Sequence, residues 1–390
     1  MSAFYDQASL VVVPSGYKSG KIYAQKPLTT DGQLTFTRAS TATRVNASGA
    51  LETVASGVPR LDYTNSSCPK ILLEPQRSNL LLYSQGFDDS AWDKADVTVT
   101  ANTTVSPDGT QNADTINATA EGQRINQSIT VSASTVYTFS FYAKKGTMVT
   151  PRYSVYDLSN GAFILTQVNY SSLINSSTWT RITATFTTPS GCTSIGIYPV
   201  NGATTGTIFI WGAMLEAGAY ATSYIPTTTA AVTRLKDFAK KENIGGTLPT
   251  AYPFTLYSES DFYLGTDDFG LSMIDIGTTN TYYTFGTYSN KYIGVARSSA
   301  GEIVATSTAN YTPGLNKIAV VFTSSSIKVF ANGGLVASAT NTISFSAGVN
   351  DIIVGTLREA ADINTRNSLK QALVFKSALT DAQCVELTTL

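Results

Sequence analysis

Histidine is absent from the chain, and this absence is the most restrictive feature of its composition. Without an imidazole the chain cannot form a Ser-His-Asp triad, a Cys-His pair or an H-E-x-x-H zinc helix, and it lacks the usual proton shuttle near neutral pH. Cys68, Cys192 and Cys384 match no metal or redox spacing and, being odd in number, cannot all pair within one chain. We therefore expect buried thiols and no histidine-dependent enzyme.

Charge and long apolar runs are also scarce. Only 14% of the residues are charged, against about 25% in ordinary proteins, and Lys plus Arg (26) balance Asp plus Glu (27). Such balance supplies no field to attract nucleic acid or anionic lipid. No apolar run approaches the roughly 20 residues that span a bilayer, and the first residues show no basic leader. We expect neither nucleic-acid binding, nor membrane insertion, nor a secretory signal.

Alternation with period two runs through most of the 390 residues. In residues 124–131, Ile125, Ile129 and Val131 share one face with Gln127, and polar side chains occupy the other; residues 137–144 and 181–187 repeat this pattern. Half-buried strands of this kind bury their apolar faces against a second sheet. The sequence therefore predicts an all-β protein made of antiparallel β-sandwich (jelly-roll) domains.

Breaks in this pattern suggest four segments. We expect an irregular N-terminal arm at 1–82, a first sandwich at 83–226, a linker at 227–246 and a second sandwich at 247–390, with the cationic stretch from Arg234 to Lys241 read as a solvated turn. In the second sandwich, Asn332-Gly333 predicts a type I′ turn within a meander. Thr380 and Gln383 predict the capping box of one short C-terminal helix.

Several short sequence motifs resemble a module of virion proteins of tailed bacteriophages and their prophages. The N-terminal motifs are FTRASTATR at 36–44, GVPRLDY at 57–63 and LEPQRSNL at 73–80. The middle motifs are YTFSFYAK at 137–144, WTRI at 179–182, IWGAMLE at 210–216 and ATSYIPT at 221–227. The C-terminal part resembles a concanavalin A-like or laminin G-like sandwich in LNKIAV at 315–320, IKVFANG at 327–333 and IIVG at 352–355.

The resemblance implies a middle domain similar to carbohydrate-binding modules and a structural role at the virion surface, as a head fibre, a capsid decoration or a tail fibre. The arm would then attach the chain to other virion proteins or to sister chains. A homo-oligomer follows by analogy with fibres, a trimer first and a dimer next. Many weak glycan contacts would gain strength through the copies on one particle.

Sugar binding is the chemistry that this composition favours, because aromatic rings stack on pyranoses and Asn or Asp side chains supply directional hydrogen bonds. The candidate residues are Tyr282, Tyr288 and Asn290 in the second sandwich and Tyr153, Tyr156 and Asp157 in the first. Trp92, Trp179 and Trp211 are expected in the core. For any single ring, ordinary packing between strands is the favoured interpretation.

Catalysis would have to use carboxylates. Glu259 and Asp261 share a strand face, but residue 264, the position of the third acid in the glycosidase motif Glu-x-Asp-x-x-Glu, is a leucine. We expect no enzyme and no cofactor; a structural calcium ion at Asp267 and Asp268 is the alternative to a plain turn there. The competing functions are a polysaccharide-degrading tail enzyme and a secreted lectin or adhesin.

Overall fold

The computed structural model describes residues 2–120, 122–262, 268–275, 281–346, 348–357 and 367–390. The chain divides into two compact units. The terminal unit comprises Met1–Ala47, Val54–Gln76 and Leu235–Leu390, and the middle unit comprises Ser48–Thr53 and Arg77–Arg234. No helix in the described part of the chain is long and apolar enough to cross a bilayer.

Strands dominate the described residues, as predicted. The N-terminal third contains α1 (Ser2–Gln7), β1 (Leu10–Val12), β2 (Gly16–Lys18), β3 (Lys21–Tyr23), β4 (Gln33–Thr37), β5 (Ala42–Val45), β6 (Leu51–Val54), β7 (Arg60–Asp62), β8 (Lys70–Leu73) and β9 (Arg77–Asn79). The middle contains β10 (Asp93–Ala95), β11 (Val97–Thr104), β12 (Ala113–Ala118), β13 (Arg124–Thr130), β14 (Val136–Lys145), β15 (Arg152–Asp157), β16 (Ala162–Asn169), β17 (Thr180–Thr187), β18 (Ser194–Asn201) and β19 (Gly206–Ala217). The remainder contains β20 (Val232–Arg234), β21 (Phe238–Lys241), β22 (Phe254–Phe262), β23 (Phe269–Ile274), β24 (Tyr282–Tyr288), β25 (Lys291–Ser298), β26 (Gly301–Asn310), β27 (Gly314–Phe322), β28 (Ser326–Ala331), β29 (Gly334–Thr340), β30 (Asp351–Val354), β31 (Asn367–Phe375) and α2 (Asp381–Thr388). Short 3₁₀ turns lie at Thr30–Gly32, Ser171–Leu173 and Gly245–Thr247.

The terminal unit is a sandwich of two large antiparallel sheets. One sheet has the order β29-β28-β27-β22-β31-β8-β7, with β1 also paired to β31, and the other has the order β2-β3-β4-β21-β30-β23-β24-β25-β26. Apolar side chains from both sheets form one core, in which Leu256, Phe285 and Val320 are fully buried. The terminal unit is therefore a β-sandwich, as the sequence predicted.

The N-terminal segment does not form a separate arm in this structure. Strands β1, β7 and β8 extend one sheet of the terminal unit, and β2, β3 and β4 extend the other. The reason is burial: Leu10, Leu34 and Ile71 carry apolar side chains with at most 1% exposure, and they complete the core of the terminal unit. The predicted division at residue 82 separated strands that belong to one sandwich.

The segment predicted to be a solvated linker is structured as well. Strand β21 lies inside the nine-stranded sheet between β4 and β30, and Ala239 is fully buried. Arg234, read from the sequence as part of a solvated cationic turn, is 1% exposed, and its Nη1 donates to Ser223 Oγ at 2.9 Å. The cationic stretch is therefore part of the folded units and is not a solvated turn.

A buried ionic cluster links the N-terminal sequence motifs to the residue before β21 within the terminal unit. Arg38 Nη1 pairs with Asp237 Oδ1 at 2.9 Å, Arg60 Nη1 pairs with Glu74 Oε2 at 2.8 Å, and Arg60 Nη2 also contacts Asp237 Oδ2. All four side chains are completely buried. Buried charges require such partners. Arg38, Arg60 and Glu74 in the motifs at 36–44, 57–63 and 73–80 therefore have a structural role as members of this ionic cluster.

The middle unit is a sandwich of two five-stranded antiparallel sheets. The first middle sheet has the order β10-β13-β18-β15-β16, and the second middle sheet has the order β11-β12-β19-β14-β17. Ile125, Ile195 and Ile197 of the first sheet and Phe139 and Ile210 of the second are buried between them. The alternation read in residues 124–131 is confirmed, since Ile125 faces this core while Arg124 and Ser128 are exposed.

The local signals of the C-terminal part are also confirmed. β27, β28 and β29 form a meander, and Asn332 and Gly333 adopt φ values of 49° and 88° in the turn between β28 and β29. Helix α2 begins with the capping box, in which Gln383 N donates to Thr380 Oγ1 and Thr380 N donates to Gln383 Oε1. A second short helix, α1, was not predicted.

The cysteines and tryptophans follow the predictions with one exception each. All three cysteines are free; Cys192 and Cys384 are buried, but Cys68 is exposed because it lies in a loop outside the core. Burial raises the pKa of the Cys192 thiol to about 11. Trp92 and Trp211 are 1% exposed, whereas Trp179 is only half-buried and its Nε1 donates to Val105 O at 2.9 Å.

Candidate functional site

An open cleft of about 520 Å³ lies along the edge of the first middle sheet, and we call it the edge cleft. Strand β10 pairs with only the first three residues of β13, so none of the described strands lies beside Gln127–Thr130 on this edge. Leu80, Leu82 and Ile129 supply apolar lining. The cleft therefore has the apolar lining and the polar groups that small-molecule sites combine.

Gln127 fixes one wall of the edge cleft. Its Nε2 donates to Leu82 O at 3.1 Å, and Leu82 N donates to its Oε1 at 2.7 Å. The amide side chain thus pairs with the backbone of residue 82 as a neighbouring strand would. This double hydrogen bond holds the apolar side chain of Leu82 beside β13.

Asn126 and Asp93 provide the polar groups of the edge cleft. They face each other in the β10–β13 ladder and both line the cleft. The Asn126 side chain is 8% exposed, and its Oδ1 has no hydrogen-bond partner among the described residues. A buried acceptor without a partner costs free energy unless a ligand or water supplies a donor. Asp93 is exposed, so its carboxylate is open to a donor such as a hydroxyl group, whereas the Asn126 oxygen is buried at the cleft.

Next to the edge cleft, the outward surface of the same sheet carries three tyrosine or phenylalanine rings, and we call Tyr156, Phe163 and Tyr198 the aromatic face. The ring centroids of Tyr156 and Phe163 lie 4.8 Å apart, and Phe163 is 45% exposed. Tyr156 pairs with Gly196 in the β15–β18 ladder. These exposed rings offer the flat apolar surface on which a sugar ring stacks.

Gly196 allows Tyr198 to lie flat on the sheet. A Cβ atom built on Gly196 would lie 2.6 Å from the Tyr198 ring, closer than real carbon atoms approach. The ring therefore occupies the space that any other side chain at 196 would need. Burial raises the pKa of the Tyr198 phenol, while the positive charge of Arg124, on the neighbouring strand β13, acts in the opposite direction.

Of the predicted residues in the middle unit, only Tyr156 lies on this surface. Tyr153 is 8% exposed and packs in the core against Phe139 and Tyr170, with ring centroids 6.4 and 6.0 Å away. Asp157 is 1% exposed and accepts hydrogen bonds from Asn160 N and Asn160 Nδ2. Burial alone would raise the pKa of Asp157, but the hydrogen bonds from Asn160 outweigh it and lower that pKa. Both side chains stabilise the fold and offer no stacking surface.

The predicted residues in the terminal unit are not brought together. Tyr282 is 4% exposed, and its OH donates to Glu302 Oε2 at 3.0 Å. Tyr288 is 54% exposed, six residues further along β24, or about 20 Å at 3.3 Å per residue. Asn290 is exposed in the following turn at φ 64°. Tyr288 and Asn290 thus lie at a hairpin tip, remote from Tyr282.

The candidate acids of the terminal unit are engaged in other contacts. Glu259 accepts from Gln371 Nε2 at 2.8 Å and lies 3.3 Å from Lys370 Nζ, and Asp261 pairs with Lys70. Leu264 and Asp267, which entered the glycosidase and calcium interpretations, lie outside the described residues. Within the described ranges, no group of three or more acidic or cysteine side chains is placed to hold a metal ion.

Sequence reasoning missed Asn126, Arg124, Asp93 and Tyr198. The period-two alternation of residues 124–131 placed Arg124 and Asn126 on the polar face of a strand, and this was the available signal. The edge cleft depends on residues 80–93 and 126–130 meeting at one sheet edge. No local pattern predicts that meeting.

Comparison with known proteins agrees with a carbohydrate-binding fold in the middle unit. Residues 79–201 match the family model described as "Carbohydrate binding domain", so the chain contains a domain of this kind. That range includes Asp93, Arg124, Asn126, Tyr156 and Tyr198. No curated protein matches the chain.

Solved structures give distant likenesses. The CBM40 module of the Ruminococcus gnavus IT-sialidase, bound to α2,3-sialyllactose, is 17% identical over 36% of this chain and 84% of its own, with a TM-score of 0.32. Domain 4 of AbnA, a GH43 extracellular arabinanase from Geobacillus stearothermophilus in complex with arabinotriose, is 15% identical over 44% and 84%, with a TM-score of 0.33. The enzymatically active domain of tailspike protein 4 of bacteriophage CBA120 is 18% identical over 36% and 21%, with a TM-score of 0.30. These likenesses are too distant to assign a ligand.

Proposed function

We propose that this chain is a non-enzymatic glycan-binding protein, and that its middle unit binds a saccharide across the edge cleft and the aromatic face. The observation that carries this proposal is the unpartnered Oδ1 of Asn126 in an open cleft beside the partly exposed rings of Tyr156 and Tyr198. Both features lie within the segment that matches the carbohydrate-binding family model.

Saccharide chemistry suits this surface. A pyranose presents an apolar face of C–H groups, which the rings of Tyr198 and Tyr156 can cover, and a rim of hydroxyl donors. The Asp93 carboxylate and Asn126 Oδ1 are acceptors for such donors, and Leu80 and Leu82 add apolar lining to the cleft. Because the cleft is open, it admits part of a chain as well as a single sugar.

The contacts of the acids support binding over hydrolysis. A glycosidase needs an acid and a base or nucleophile that face the bond to be cleaved. Glu259 and Asp261 are paired with Lys370 and Lys70, and Gln371 occupies one Glu259 oxygen. The polysaccharide-degrading enzyme therefore remains a second candidate without a specific observation in its favour.

We propose display at the surface of a bacteriophage virion, as a head fibre, capsid decoration or tail fibre, with homo-oligomerisation as a trimer or, next, a dimer. The support is the resemblance of the motifs at 36–44, 57–63 and 73–80 to virion proteins, together with the concanavalin A-like or laminin G-like resemblance of the C-terminal part. A secreted lectin or adhesin is the alternative for the same binding chemistry.

Binding is tested with the full chain on a panel of immobilised bacterial surface glycans and neutral polysaccharides. We expect at least one ligand whose affinity falls about tenfold in Tyr198→Ala. Tyr288→Ala, an exposed tyrosine of the terminal unit, is the matched control and should bind as the parent does. Absence of binding to every glycan, or equal loss in both variants, would contradict the proposed site.

Location and assembly need separate measurements. Immunogold electron microscopy of particles from the source strain should label the virion surface, and labelling of cell envelopes alone would favour the adhesin. Sedimentation of the full chain should give a trimer or dimer mass. Release of reducing ends from a bound polysaccharide would instead identify an enzyme.

A further inference from the structure

Arg124 is a cation without a partner at the candidate site. It is exposed on the outward face of β13, and it forms no ion pair or hydrogen bond with any described residue. In the ladders of the first middle sheet it lies opposite Ala95 on one side and Asn201 on the other. Arg124 and Asn126 point to the same side of the sheet, since they are two residues apart on one strand.

Arg124 lies on β13, next to the strand that carries Tyr198. In the β13–β18 ladder it is opposite Asn201, three residues from Tyr198. Burial raises the pKa of the Tyr198 phenol, and the positive charge of Arg124 acts to lower it. The other arginine of this surface, Arg152, is already engaged, because its Nη1 donates to Gly202 O at 2.9 Å.

The surface thus has two chemically different ends. At the edge cleft, the Asp93 carboxylate and the unpartnered Asn126 Oδ1 are hydrogen-bond acceptors. Two residues before Asn126 on the same strand, Arg124 offers a planar set of N–H donors with a full positive charge. A planar guanidinium pairs most strongly with a carboxylate, through two parallel hydrogen bonds.

We propose that the middle unit selects acidic polysaccharides, with the carboxylate of a uronic-acid type sugar at Arg124 and hydroxyl groups of the adjoining sugar in the edge cleft. This inference rests on the proposed glycan-binding function and names its ligand class. A sulfate ester presents a similar anion. We choose the carboxylate because its two coplanar oxygens match the two parallel N–H donors of the guanidinium group.

The test uses three acidic polymers, hyaluronan, alginate and polygalacturonate, each beside its own carboxyl-reduced form, with EDTA present throughout. Reduction converts each carboxylate to a primary alcohol and leaves the sugar linkages intact. We expect the full chain to bind at least one acidic polymer about tenfold more tightly than its reduced form. This preference should weaken as salt is raised from 0.05 to about 0.5 M.

Two variants of equal charge locate the preference. Arg124→Gln should bind the acidic and reduced forms equally, whereas Lys145→Gln, at an exposed position of the second middle sheet, should keep the full preference. Arg124→Lys should retain only part of the preference for the acidic polymer, because the positive charge remains but the two parallel N–H donors of the guanidinium group are lost. Equal thermal midpoints of the three variants would show that the fold is intact.

The outcomes separate the two proposals. Equal binding of acidic and reduced polymers by the parent chain, or loss of preference in Lys145→Gln, overturns the acidic specificity. Tighter binding of dextran sulfate than of every uronate polymer also overturns it. If the neutral panel described above is bound in a manner that requires Tyr198, glycan binding stands without the acidic preference; if no polymer of either kind is bound, both proposals fail.

Discussion

Arg38 Nη1 lies 2.9 Å from Asp237 Oδ1, and both side chains are completely buried. The two residues are 199 positions apart in the chain. Asp237 also contacts Arg60, whose second terminal nitrogen pairs with Glu74. Asp237, which directly precedes β21, therefore contacts two buried guanidinium groups and links β21 to the N-terminal strands, while Glu74 shares the charge compensation of Arg60.

Replacement of Asp237 by Asn should destabilise the terminal unit by about 3 to 5 kcal/mol, because buried Arg38 loses its carboxylate partner and Arg60 keeps only Glu74. Hydrogen exchange of β4 and β21 amides measures the effect. Glu242→Gln breaks the partly exposed pair with Lys240 and should cost no more than about 1 kcal/mol. Similar costs in the two variants would show that the cluster adds nothing to stability.

Asp108 makes stability depend on acid pH. Burial alone would raise the pKa of its carboxyl, but hydrogen bonds from Thr110, Asn112 and Ser106 outweigh burial and lower that pKa. Its stabilisation is therefore complete above the unfolded value of about 3.9 and is lost as the pH falls through the folded value.

Asp108→Asn should accordingly lower the free energy of unfolding by about 1 kcal/mol at pH 7, with solvent screening allowed for, and by less at pH 3. Urea titration followed by tryptophan fluorescence measures this, since all three tryptophans lie in the middle unit. Asp96→Asn, at an exposed position, should change the free energy by less than about 0.5 kcal/mol at either pH. A pH-independent difference for Asp108→Asn would refute the role of the charged carboxylate.

Tyr153 and Tyr156 should respond oppositely to replacement by alanine. Tyr153→Ala opens a cavity beside Phe139 and Tyr170 and should cost about 3 to 5 kcal/mol of stability. Tyr156→Ala should leave stability within about 1 kcal/mol and weaken glycan binding instead. Urea titration and binding isotherms on both variants give the comparison, and a binding defect confined to a well-folded Tyr153→Ala would reverse the assignment.

Gly196→Ala should weaken glycan binding several-fold, about 1 kcal/mol, because the new methyl group displaces the Tyr198 ring. The ring belongs to a half-buried side chain that can shift, so the melting temperature should change little. Ser132→Ala, at an exposed position of the middle unit outside the edge cleft, is the control, and its glycan affinity should stay close to that of the parent.

The sequence by itself determined the local structure of this protein. Period-two alternation placed Ile125 inward and Arg124 outward, Asn332-Gly333 specified a turn, and Thr380 with Gln383 began a helix, because each depends on neighbours along the chain. Tyr153 and Tyr156, both candidate residues, are three positions apart, so a period of two places them on opposite faces of one strand. Which of these two faces meets the second sheet was open until the sheets were assembled.

The tertiary structure alone decided the long-range pairings. The N-terminal strands and β21 joined the sheets of the terminal unit because Leu10, Leu34 and Ala239 could be buried only there. The edge cleft formed where residues 80–93 meet the edge of β13 that β10 does not cover beyond Asn126. Such meetings depend on which apolar faces and charges find complements far away in the chain, and no local pattern encodes that choice.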